Sequence, residues 1–111
     1  MSKSEDEWYY EYQEEQWHRA HQIVDAVSRG FRLDADCILN KTRIRRQTEA
    51  RLVAVWLVHT RTGLTDDDIA QMFNSSKSIV ARATAFVGYC RRQHNTTYWT
   101  MGLAINEMYK Y

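Results

Sequence analysis

The chain has 111 residues, 44% of them hydrophobic, with four glycines, no proline and a formal net charge of +1. That length suits one domain with one modest core, and the hydrophobic content excludes disorder throughout. The scarcity of helix breakers points to an all-α chain, and no apolar run approaches a membrane span, so a cytoplasmic protein is expected.

Residues 1–15 form an acidic aromatic N-terminal segment in which Glu5, Asp6, Glu7, Glu11, Glu14 and Glu15 outnumber Lys3, with Trp8, Tyr9, Tyr10 and Tyr12 among them. Residues 16–111 read as the folded domain. A frayed start gives way to a helix from about Glu11 to Ser28, where Trp17, Ile23, Val24 and Val27 recur at helical spacing. Gly30 is placed to cap that helix in the left-handed conformation, and Phe31 and Leu33 pack as the chain turns. Asp34 fits the N-cap of a short helix, Ala35 to Leu39. The segment Asn40-Lys41-Thr42-Arg43-Ile44-Arg45-Arg46 has no clear period and reads as a basic loop. A long helix follows, from about Gln47 to Arg61, with Val53, Trp56 and Leu57 on its buried face, Leu52 or Val55 at the edge, and Thr62-Gly63 as its end.

The strongest start signal comes next. Thr65 suits an N-cap, Asp66 and Asp67 complement the helix dipole, Asp68 stands at the capping-box position, and Leu64 and Ile69 fit a hydrophobic staple. This helix should end near Phe73, with Asn74-Ser75 as the turn and Ser75 or Ser76 capping the next helix through Ile79, Val80, Ala83 and Phe86. Two helices joined this way make a helix-turn-helix. After a turn at His94-Asn95-Thr96, a last helix from about Thr97 to Tyr109 carries Trp99, Leu103 and Met108 or Ile105. Trp56, Phe86 and Trp99 are expected in the core. Cys37 and Cys90 have no metal-site spacing and read as buried free thiols. Dipole compensation accounts for the Asp66-Asp67-Asp68 run, and Glu14, His18 and His21 lack a fourth ligand, so no metal or other cofactor is expected. Neither a nucleophile–base pair nor a glycine-rich phosphate cradle stands out, and an enzyme is not expected.

The order of these elements, from about Ala20 to Met108, resembles the C-terminal DNA-binding domain of DnaA, the bacterial chromosomal replication initiator. Ile23-Val24-Asp25-Ala26-Val27 and Asp34-Ala35-Asp36-Cys37-Ile38-Leu39 fall where that family has its first helix and its Asp-Leu-Leu turn, and Asn40 to Arg46 falls on its basic loop. Arg51-Leu52-Val53-Ala54-Val55-Trp56-Leu57 resembles the family's Arg-Gln-Met-Ala-Met-Ala-Leu helix, and Leu64 to Phe73 keeps Ile69 and Phe73 in register with the next. The departure lies in the signature Gly-Gly-Arg-Asp-His-Thr-Thr-Val-x-His-Ala. With one residue deleted to align Val80 and Ala83, Ser76 stands for the Asp, Lys77 for the His, Ser78 for the first Thr and Ile79 for the second. No GxxxxGK[ST] nucleotide-binding motif occurs, so the chain looks like a stand-alone relative of the kind a phage or mobile element carries.

The resemblance implies an all-α fold of five to six helices around a central helix-turn-helix, as in Trp-repressor and replication-initiator C-terminal domains. It also implies a nucleoid-associated protein that binds double-stranded DNA in replication initiation or transcription regulation. The second helix of such a motif enters the major groove by its N-terminus. Ser75, Ser76, Lys77 and Ser78 stand there, and Arg82 one turn on is placed for the backbone. The family's basic loop sends an arginine into the adjacent minor groove. By position that is Arg43, with Lys41 and Arg45 as phosphate neighbours and Arg46 and Arg51 as further phosphate contacts. The competing reading is a protein-interaction module on the same scaffold, binding a host replication or transcription protein through Trp8, Tyr9, Tyr10 and Tyr12. An extra packed helix, or acids covering the basic loop, are other roles for that segment, and a homodimer is left open.

Overall fold

The computed structural model describes residues 4–109, and the first three residues of the acidic segment lie outside the described residues. Six helices run α1 (Glu5–Phe31), α2 (Ala35–Leu39), α3 (Arg45–Arg61), α4 (Asp66–Met72), α5 (Ser78–Gln93) and α6 (Thr96–Met108), with no strand among the described residues. None of these helices is long and apolar enough to cross a membrane.

The first helix starts six residues earlier than its apolar stripe suggests. Ser4 accepts a hydrogen bond from the Glu7 amide, and Glu5, Asp6 and Glu7 sit at the positive end of the helix dipole. Polar start chemistry thus extends the helix well beyond the residues that bury. Its stripe of Gln16, Ala20, Ile23, Val27 and Phe31 is buried at helical spacing.

Gly30 does not cap this helix. It lies within the last turn, and Arg32 takes the left-handed conformation instead, at φ 57°. The Arg32 and Leu33 amides donate to the carbonyls of Arg29 and Ser28, closing a Schellman motif. Gly30 serves packing instead. A Cβ there would lie 2.8 Å from the Ala104 backbone, so the missing side chain lets α1 and α6 touch. Close approach selects the buried face of α6. Thr97, Met101 and Ala104 turn inward, while Trp99, expected in the core, and Leu103 are 64% and 58% exposed. Two apolar stripes compete on this helix, and the α1 contact decides between them.

Helix α3 runs through the centre and packs against α1, α2, α4, α5 and α6. Ala50, Val53, Ala54, Val55, Leu57 and Val58 are all buried, so Val55 is a core residue and not an edge. Trp56 is half-buried, as is Phe86. The helix begins at Arg45, two residues early, because the Thr48 hydroxyl donates to the carbonyls of Thr42 and Ile44 and folds the end of the basic segment into its first turn. Asp34 precedes α2 as expected, yet its side chain makes no capping hydrogen bond. Cys90 is buried and Cys37 half-buried, both as free thiols.

The capping box at α4 is formed: Thr65 accepts from the Asp68 amide at 3.2 Å, and Asp68 accepts from the Thr65 amide at 3.1 Å. Leu64, Ile69, Phe73, Ile79, Val80, Ala83 and Val87 join the core and fix α4 and α5 against α3.

Two substitutions separate the roles of Gly30 and Arg32. Gly30→Ala should destabilise the protein by about 1–3 kcal/mol through overpacking against α6, although alanine is the better helix former. Arg32→Gly should stabilise it by about 0.5–1 kcal/mol by relieving the left-handed strain. Urea denaturation of both variants measures the difference.

Candidate nucleic-acid interface

The turn between α4 and α5 is built by backbone geometry and two side chains. Asn74 takes φ 52°, and the Asn74 and Ser75 amides donate to the carbonyls of Gln71 and Ala70, a Schellman end for α4. Asparagine tolerates that conformation better than most residues. Arg51 reaches from the centre of α3 and donates to the Phe73 carbonyl. It is only 7% exposed, and its Nε has no hydrogen-bond partner among the described residues. Burial, and behind it the charge of Arg82, pulls the guanidinium below its ordinary pKa. The phosphate contact expected of Arg51 is therefore not its place: it sits inside the fold and holds the turn.

The Asn74 amide group also bonds Asn40 Oδ1 at 3.0 Å and reaches the Leu39 carbonyl at 3.5 Å. The start of the basic segment is thereby tied to the turn of the helix-turn-helix, although the two are more than thirty residues apart in sequence. Nothing in the spacing of Asn40 and Asn74 signals the pairing. A non-glycine residue at a helix end is the only clue.

The basic residues fall into two groups. Lys41 and Arg43 are exposed and have no ion-pair partner among the described residues. Arg45 pairs with Glu49 at 3.1 Å, and Arg46 donates to the Phe31 carbonyl, closing the end of α1. Ile44 between them is 57% exposed, an apolar side chain among cations that charge alone does not reveal.

At the start of α5 no side chain caps the helix, contrary to the expectation for Ser75 or Ser76. Ser76 Oγ and Ser78 Oγ bond each other at 2.7 Å, and Ser75 Oγ accepts from Arg82 at 3.5 Å. The Ile79 and Val80 amides of the first turn donate to the carbonyls of Ser76 and Lys77, so what this end of α5 presents outward is the positive end of the helix dipole and its side chains. Ser76, Lys77 and Ser78 are exposed there, and Lys77 Nζ lies 3.4 Å from Asp67 in a solvent-exposed pair. Such a pair contributes little to stability, about 0–1 kcal/mol, so Lys77 can exchange it for another anion.

The acidic residues sit at the other end of the molecule. Gln16 accepts from the Gly63 amide at 2.8 Å, while Phe31 meets Arg46, so α1 and α3 are antiparallel. Residues Glu5 to Glu15 then lie beyond the C-terminus of α3, about 24 Å of helix away from Arg45. They do not cover their own basic loop. Trp8, Tyr9, Tyr10 and Tyr12 are 48–67% exposed, and Tyr12 packs over Gly63.

The family described as bacterial dnaA protein helix-turn-helix matches residues 20–87, more than half of the chain. That span runs from the middle of α1 into α5 and includes every element of the interface. No curated protein matches the chain significantly.

Asn74→Gly and Asn74→Ala distinguish backbone tolerance from the bridge to Asn40. Both should speed amide exchange over residues 40–44, whereas only the alanine variant should lose about 1–2 kcal/mol of stability, since glycine accepts positive φ freely. Exchange mass spectrometry alongside thermal melting reads both effects.

Proposed function

Because the chain belongs to the bacterial DnaA helix-turn-helix family, we propose that it binds double-stranded DNA with α5 in the major groove and the basic loop in the adjacent minor groove. The observation that carries this reading is the Asn74–Asn40 bond, which holds the loop cations beside the uncapped start of α5. A docked helix places its N-terminal side chains against base edges. Lys77 then donates to guanine O6 or N7, and Ser76 and Ser78 to bases or phosphate. The positive end of the α5 dipole favours a phosphate beside these side chains. Arg82, held toward Ser75, clamps the backbone beside it.

Arg43 enters the minor groove, where it reads width and A·T content, and Lys41 and Arg45 flank it on phosphates. Arg46 and Arg51 act one step back, holding the end of α1 and the turn in position. Ser75 orients Arg82. The family's reading residues are replaced at Ser76, Lys77 and Ser78, so the DNA sequence preferred by this chain differs from that of the replication initiator. Its role lies in replication initiation or transcription regulation.

Arg43→Ala combined with Lys77→Ala should weaken binding to random duplex DNA by at least about a hundredfold, with helicity unchanged by circular dichroism. The slope of log affinity against log salt should fall by about 0.9 for each phosphate the variant no longer neutralises. Fluorescence anisotropy across a salt series measures both. A double variant that binds like the wild type removes this site assignment, and negligible wild-type affinity at low salt would favour a protein-interaction module instead.

A further inference from the structure

A second surface lies at the far end of α5 from its DNA-facing start. Trp56, Tyr98, Trp99, Met101 and Ile105 line a groove of about 340 Å³ between α3, α5 and α6, with Arg91 at its edge. Trp99 is anchored by a hydrogen bond from its indole to the His94 carbonyl and stacks edge-on against Tyr98 at 5.5 Å. Gly102 also borders the groove, and a Cβ there would meet nothing within 4 Å. Near the groove α5 carries Arg91 and Arg92 and no acid; Glu107 of α6 is paired with Arg29 at the other end of that helix, and Glu49 of α3 is taken up by Arg45 and Thr97. The surface is therefore apolar, open and positive.

The N-terminal turns of α1 have the opposite character. Tyr9 and Tyr10 are 59% and 67% exposed, among Glu5, Asp6, Glu7 and Glu14. They precede Tyr12, which packs over Gly63 at the end of α3, and short helical turns gain most of their stability from burying an apolar face. We propose that these acidic aromatic turns dock in the α3–α5–α6 groove of a second copy of this chain, with the tyrosines against Trp56 and Trp99 and the carboxylates facing Arg91 and Arg92. The two surfaces cannot meet within one molecule. The acidic turns lie beyond Gly63 at the end of α3, whereas α6 starts beside Glu49 near its beginning, where Thr97 bonds that residue at 2.9 Å. A symmetric pairing of two α6 faces would instead bring like charges, Arg91 and Arg92 of both copies, into one seam. Docking through the acidic turns leaves the start of α5 and the basic loop free, about 22 Å of helix away, so self-association and DNA binding are compatible.

Sedimentation velocity of the full chain from about 1 to 500 μM tests the proposal. The wild type should sediment faster as concentration rises, and added salt should weaken the association. Gly102→Glu fills open space with a repelling residue at no cost to packing, and Tyr9→Ser/Tyr10→Ser removes the knobs. Each should associate at least about tenfold more weakly while melting like the wild type. Mixing the two variants restores one intact junction and should give a one-to-one complex. The proposal is overturned by a wild type that stays monomeric throughout the range, by self-association that survives in the tyrosine variant, or by a mixture that forms no complex.

Discussion

The interface depends on one buried cation. Arg51 leaves the centre of α3 and donates to the Phe73 carbonyl, the point where α4 ends and the turn begins. A guanidinium in that position costs desolvation, and among the described residues no carboxylate pairs with it; the charge next to it is Arg82. What it secures is orientation. With the last carbonyl of α4 fixed, Asn74 takes its left-handed conformation and turns its amide toward Asn40. The loop, the turn and the start of α5 become one surface.

The rest of the molecule is organised around the same central helix. Helix α3 is buried on nearly all sides and serves as the axis on which the others are set. Because α1 runs antiparallel to it, the acidic and basic ends of a nearly neutral chain are held apart. Lys41 and Arg43 stay exposed, while Arg45 and Arg46 are used to secure helix ends and pairs. A charged segment in the sequence thus divides its labour once folded.

The all-helical character, the capping box at Thr65 and Asp68, and the register of Ile69 and Phe73 are legible from residue type and period. These are local properties: a hydroxyl three residues before a carboxylate, or an apolar stripe every 3.6 residues, needs no distant partner. Where residue type misleads, a distant partner intervenes. Gly30 looks like a cap because glycine favours helix ends, but it is used for the approach to Ala104. Trp99 looks like core because it is large and apolar, but α6 presents Met101 and Ala104 to α1 instead. Arg51 looks like a phosphate contact because it follows a basic run, but a helix turn carries it inward.

The sequence by itself determined which segments are helical, where α4 starts, and that a basic run precedes a helix-turn-helix, since capping, dipole and periodicity act over a few residues. Only the tertiary structure decided which cations stay free, which face of α6 is exposed, and that the basic loop sits beside the turn. Those outcomes rest on pairs such as Asn40 with Asn74 and Arg51 with Phe73, whose partners meet only when α3 is packed.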